Sequence, residues 1–283
     1  MTGSPVLPLR PLTTGELLDT AAALLRSRWR ALLGMSLAFA LVEQIAMTAL
    51  RMATIEEVRP RYWGQFVYNE WWAWGWIVIG LTSEIFIITV MSGPATRTAV
   101  AAVSGEDPRR LPWWTLSGSQ WGRVFGFGAI IAVMGAVAAA ACFLPWFAVY
   151  ALFGLSVPAL IADRLSPGRA FFRSPRLFAR SGTRTGMIRL LAWGSWVLIR
   201  LVITCGAVAL LEYFDFTTTL FDYFLVLLGV MYLAVNTAGY AMMACVDAVI
   251  HVETRVRTEG LDVAINRMRA RGDQIVLTAP EAQ

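Results

Sequence analysis

The sequence predicts an all-α polytopic membrane protein, six transmembrane helices with amphipathic interfacial helices on the cytoplasmic side. Three observations carry this. Of 283 residues, 57% are hydrophobic and only 15% charged, too apolar a balance for a chain that ends in water. Six stretches approach the roughly 20 apolar residues that a helix needs to cross a bilayer. The 24 basic residues are all arginine, and they gather between alternate stretches. The net charge of +5 then suits anionic headgroups better than a nucleic-acid groove, and no nucleic-acid partner is expected.

Residues 1–30 read as an N-terminal segment and interfacial helix. Pro5, Pro8 and Pro11 interrupt the start and no apolar run of membrane length precedes Ala31, so a cleavable leader is not expected. Thr13-Thr14-Gly15-Glu16 reads as a capping box, followed by Leu17, Leu18, Ala21, Leu24, Leu25 and Trp29 at helical spacing. A six-span domain over 31–249 follows, with spans near 31–50, 71–92, 124–143, 146–161, 187–211 and 224–249, and then a cytoplasmic tail over 250–283. The run from Val124 to Ala162 is too long for one span and short for two. Leu144-Pro145 breaks it into a tight hairpin, whose second limb is expected to be shortened or kinked near Pro158.

Orientation follows from counting arginines, which resist translocation. With the N-terminus inside, twenty lie on the inner side and three, Arg51, Arg59 and Arg61, on the outer side beside Glu56, Glu57, Glu70, Glu212, Asp215 and Asp222. Both termini are expected to be cytoplasmic, in the cell membrane. Tyr62, Trp63, Phe66, Tyr68, Trp71, Trp72, Trp74 and Trp76 read as an aromatic belt at the outer interface. On the inner side, Arg26, Arg28 and Arg30 close the first interfacial helix, where a cation suits both the helix dipole and the phosphate layer. The segment from Ser166 to Arg184 repeats the scheme, with Arg173, Arg176, Arg180 and Arg184 opposite Ala170, Phe171, Leu177 and Phe178. These seven arginines are the candidate contacts to anionic lipid or to a partner protein. A third, poorer amphipathic segment runs from Ala95 to Val103 and resumes around Trp113 to Arg123. The chain can thus be parsed as interfacial helix plus hairpin three times over, although the sequence echo between units is weak.

Glu43, Glu84 and Arg200 fall inside spans, where an isolated charge costs about 2.5–3.5 kcal/mol. Counted at 1.5 Å per residue from the inner ends, they lie roughly 18, 12 and 20 Å deep. They are expected to form an intramembrane polar cluster in which Glu43 or Glu84 holds Arg200, with Asn236 as a neutral partner. A static clamp is favoured over a proton or ion path, which would need a further relay toward a surface. Gly128, Ala132, Ala136 and Ala140, every fourth residue of the third span, read as a packing seam, with Ala234, Ala238 and Gly239 similar on the sixth.

Enzyme templates fail for want of residues. His251 is the one histidine and reads as an interfacial polar residue; without lysine there is no phosphate-binding GxxxxGK[ST] loop, and GxSxG, HExxH and CxxC do not occur. Cys142, Cys205 and Cys245 are dispersed in apolar runs. No catalytic residue, cofactor or metal site is expected.

Three short motifs in order carry a family resemblance: Leu9-Arg10-Pro11-Leu12 with Gly15-Glu16-Leu17-Leu18-Asp19; Ala170-Phe171-Phe172-Arg173-Ser174 with Leu177 and Gly182; and Arg255-Val256-Arg257-Thr258-Glu259-Gly260-Leu261-Asp262. From Leu9 to Asp262 the chain resembles actinobacterial multi-pass proteins grouped with the glycerophosphoryl diester phosphodiesterase membrane-domain family. The resemblance implies a six-helix membrane module whose hydrolase activity, in relatives that have one, belongs to a separate barrel with paired histidines, which these residues do not supply. Pro175 stands where relatives continue the helix. The expected function is a non-enzymatic accessory or scaffold with an arginine-rich cytoplasmic face; the alternative is a permease-like transporter with a path past Glu43, Glu84, Arg200 and Asn236.

Overall fold

The computed structural model describes residues 7–58, 70–108, 120–213, 218–275 and 277. These residues form ten helices and no strand: α1 (Thr14–Ser27), α2 (Trp29–Val58), α3 (Glu70–Ser104), α4 (Gln120–Cys142), α5 (Leu144–Phe153), α6 (Ser156–Ala162), α7 (Pro167–Ser181), α8 (Arg184–Tyr213), α9 (Thr218–Glu259) and α10 (Leu261–Arg271). Six segments are long and apolar enough to cross a membrane: α2, α3, α4, α5 with α6, α8 and α9. Arg59, Arg61, the aromatic residues 62–68, Arg109, Arg110, Trp113 and Asp215 lie outside the described residues, as do the side chains of Glu56, Glu57, Glu70, Glu212 and Asp222. Of the aromatic belt, Trp71 and Trp72 are exposed, and the Trp76 indole donates to Thr54 Oγ1 at 2.9 Å.

The capping box closes as read: Thr13 Oγ1 accepts from the Glu16 N–H and Glu16 returns to the Thr13 N–H at 2.8 Å. With Arg10 also paired to it, the exposed Glu16 carboxyl is pushed down to about 2. α1 buries Leu17, Ala21 and Leu24, one face of a helix lying at the end of the bundle that carries both termini. Its chain turns at Arg28 (φ −138°) directly into α2.

α3 and α9 form the centre. They pack on each other; α2 lies against both, α4 against α3, α5 between α4 and α8, and α8 against α9. α3 does not end near Ser92 but continues through Pro94 to Ser104. The segment Ala95–Val103 is therefore no separate amphipathic helix, for Ala95, Ala99 and Val103 are buried in the core as the last turns of α3. Proline inside a membrane helix is tolerated where neighbouring helices surround it. α9 likewise runs unbroken past residue 249 to Glu259, and α10 buries Leu261 and Ile265, so the first part of the tail is packed structure.

The fourth crossing breaks at Gly154-Leu155, between α5 and α6, one turn before Pro158, whose missing N–H and ring deny a helical bond to the Gly154 carbonyl. The opened backbone is satisfied from elsewhere, as it must be away from water. Ser174 of α7 accepts from the Leu155 N–H at 3.1 Å and donates to the Leu152 carbonyl at 2.5 Å; Arg189 of α8 donates to the Tyr150 carbonyl. α7 itself passes through Pro175 without interruption.

On α4 the buried small residues are Gly128, Ala132, Gly135 and Ala139, whereas Ala140 faces outward. The seam thus follows a four-three spacing, since a strict step of four drifts by about 40° each time. Ala234 is exposed too, and Gly239 meets the Trp196 ring. A Cβ at Gly128 would come within 2.9 Å of Val90 and 3.0 Å of Phe86. Gly128→Ala is therefore expected to destabilise the protein by about 1–3 kcal/mol through overpacking, while Gly34→Ala, in open space, gains helix propensity. Unfolding of both variants in mild detergent checks the contrast.

Candidate functional site: a buried polar column along α9

α9 carries polar side chains at positions 232, 236 and 240, and again at 247, 251, 255 and 259. Steps of four residues make successive side chains neighbours along the helix, each run winding about 40° per step around it. The two runs are a half-column each, joined by the apolar turn around Met243 and Ala244.

In the half-column away from the termini, Glu43 of α2 accepts hydrogen bonds from Ser83 (2.6 Å), Tyr240 (2.5 Å) and Asn236 (3.1 Å). Glu84, next to Ser83 on α3, takes a two-pronged contact from Arg200 of α8, with Nη2 at 2.5 Å and Nη1 at 3.0 Å. The structure thus brings all four expected residues to one level of the bundle and divides them: Glu84 holds Arg200, and Asn236 serves Glu43 rather than the arginine. Beyond them, Tyr232 meets the Thr204 hydroxyl at 2.5 Å and lies under the Arg51 guanidinium.

The second half-column begins with an ion pair inside the fourth, fifth and sixth crossings. Arg189 reaches Asp247 with Nε at 2.6 Å and Nη2 at 3.1 Å, and Ser92 adds a hydrogen bond at 3.2 Å. The guanidinium is 2% exposed. It stacks over the Tyr150 ring with its carbon 4.2 Å from the ring centre, and occupies the space a side chain at residue 154 would need. Beside it Trp146 stacks on Tyr150 at 5.1 Å, and Trp193 lies tilted against Trp146 at 4.9 Å, the three rings packing α5 against α8. Arg189, counted in the sequence with the arginines of the cytoplasmic surface, is in fact buried in the bundle.

Toward the termini Asp163, at the end of α6, is the hub. His251 Nε2 lies 3.0 Å from one of its oxygens, Arg255 donates to the same oxygen at 2.8 Å, and Arg173 of α7 donates to the other at 2.8 Å. Burial works to raise this carboxyl, but His251, Arg255 and Arg173 outweigh it and hold it well below the usual carboxylate range. Burial likewise opposes the charge of Arg173, and Asp163 and Glu259 reverse the balance upward. Glu259 links Arg173 (2.7 Å) to Arg255 (3.0 Å). Alongside, Glu253 binds Arg184 and Arg257, and both arginines also donate to the Leu12 carbonyl. His251, expected at the interface, is fully buried in this network.

The seven candidate arginines consequently separate into two sets. Arg26, Arg30, Arg176 and Arg180 are exposed, Arg180 also reaching Glu259 at 3.5 Å. Arg28 is buried, with burial and the nearby Arg97 lowering its pKa, and Arg173 and Arg184 are engaged by carboxylates, so these three turn toward protein rather than outward. The sequence reading missed Asp163, Arg189, Asp247, Glu253 and Glu259 as network members. The signal for two of them, Asp247 and Glu259, was present in the four-residue spacing of Asp247, His251, Arg255 and Glu259. Among the described residues no three His, Cys, Asp or Glu side chains converge as a metal-ligand set.

No family model, curated protein or solved structure matches this chain.

Proposed function

We propose that the chain is a non-enzymatic accessory or scaffold protein of the cytoplasmic membrane, with both termini inside and its exposed arginines engaging anionic lipid or a partner. The observation that carries this reading is a pair of intramembrane ion pairs, Arg200 with Glu84 and Arg189 with Asp247, while Glu43 is held by the neutral donors Ser83, Asn236, Tyr240 and Gln44. Such pairing supports a static clamp, because each of these two guanidinium groups is taken up by an acid of the bundle. The packed aromatic cluster of Trp146, Tyr150 and Trp193 beside the Arg189 pair supports the same reading. The arginine surplus on the terminal side supports the orientation, and the resemblance to glycerophosphoryl diester phosphodiesterase membrane-domain proteins suits a membrane module without chemistry of its own.

A permease-like protein is the second reading, favoured by the polar face of α9. Water access separates the two. In proteoliposomes, Ser83→Cys in a chain whose own cysteines are replaced by alanine is expected to resist a membrane-impermeant maleimide from both sides. Rapid labelling from either side overturns the clamp and favours the path.

A further inference from the structure

Between the first turns of α4 and α7 lies a groove of about 390 Å³, within the range of small-ligand sites. Phe127, Ile130, Phe171 and Phe172 line it, and Arg123 stands at one end. Its floor is ordered: Phe127 stacks on Phe171 at 6.3 Å, and Phe171 on Phe153 at 4.7 Å. Its walls are left open, since Ile130 and Phe172 are 53% and 62% exposed. Two glycines keep it clear; a Cβ at Gly126 or Gly168 would meet nothing within 4 Å. Arg123 is exposed and makes no ion pair among the described residues.

Charge and apolar surface are separated along this groove. From Arg123 to Ile130 is a rise of about 10 Å on α4, with the cation where the helix begins and only hydrocarbon below it. An amphiphile with an anionic head has the complementary shape. A partner helix does not, because a cylinder about 10 Å across occupies about twice the groove's volume over that length.

We infer that this groove is a specific site for one anionic phospholipid of the leaflet on the terminal side, its phosphate on Arg123 and an acyl chain against Phe127, Ile130 and Phe172. The inference rests on, and sharpens, the proposal that this end of the protein engages anionic lipid. It adds a defined, stoichiometric site distinct from the exposed arginines Arg26, Arg30, Arg176 and Arg180.

The test uses the full chain reconstituted with phosphatidylglycerol and phosphatidylcholine, returned to mild detergent, and weighed intact by mass spectrometry to count retained lipid. Wild type is expected to keep one phosphatidylglycerol. Arg123→Gln is expected to lower that retention about fivefold, one arginine's attraction to an anionic surface. Gly126→Leu, which fills the groove, is expected to abolish it. Gly34→Leu, on an equally open site of α2, leaves it unchanged. Unaltered retention in Arg123→Gln and in any folded Gly126→Leu overturns the site; so does equal retention of phosphatidylcholine, or a chain–chain species that Gly126→Leu removes. Replacing Arg26, Arg30, Arg176 and Arg180 together by glutamine separates the two levels. If that variant loses overall phosphatidylglycerol enrichment while the groove variants do not, the site falls and the wider reading stands; if neither changes, both fall.

Discussion

Asp247→Asn is expected to cost about 3–5 kcal/mol of stability, because it leaves the Arg189 guanidinium charged with no carboxylate in reach. Nothing else near it can take over: the arginine is 2% exposed, and its other partners are the neutral Tyr150 carbonyl and ring. Neutralising both members is a different experiment. Arg189→Met with Asp247→Leu removes the charges together and is expected to recover most of the loss, since well-packed apolar replacements of a buried pair are often neutral or better. Denaturant titration of the single and double variants in mild detergent checks this. A double variant as unstable as the single one would mean that the Arg189 bond to the open backbone of α5, and not the ion pair, is what the fold needs.

Asp163→Asn is expected to have an effect of similar size, about 3 kcal/mol or more, for a different reason. One carboxylate there is shared by His251, Arg255 and Arg173, drawn from α9 and α7, so its loss unpins the end of α6 from both. The pH dependence follows from the direction of its shift. A carboxyl held lower in the folded state than in the unfolded chain stabilises the fold fully above its ordinary value of about 3.9. That contribution disappears as pH falls below this value toward the depressed one. Wild type should therefore lose this contribution on acidification below about 3.9, whereas Asp163→Asn should be weaker above that pH with a shallower acid limb. Thermal unfolding across that range is the measurement.

Hydropathy and arginine placement gave the six crossings and their shared terminal end, because burial in hydrocarbon is a property of a local stretch. The capping box was legible for the same reason, its donors and acceptors lying three residues apart. The pairing of Arg200 was legible as a class: a charge at that depth had to find an acid, and Glu84 or Glu43 were the ones at reachable depth. What stayed hidden depended on partners distant in sequence. Pro158 marked the break, which falls one turn before it at Gly154-Leu155, but not the Ser174 and Arg189 side chains that serve the freed backbone. Arg189 looked like a surface cation because its partner lies 58 positions away. The small-residue seam was misdrawn by arithmetic alone, since three steps of four turn a helix about 120° away from its starting face.

The open backbone at Leu152 and Leu155 imposes an order of assembly. A ribosome that has delivered the chain only through residue 165 has handed the bilayer a fourth crossing with unmet peptide groups, a state that hydrocarbon strongly disfavours. Completion waits for Ser174 and then Arg189 to emerge. The second hairpin is thus finished by the third, and a truncation between them should leave a nascent protein that the insertion machinery cannot release as a stable product.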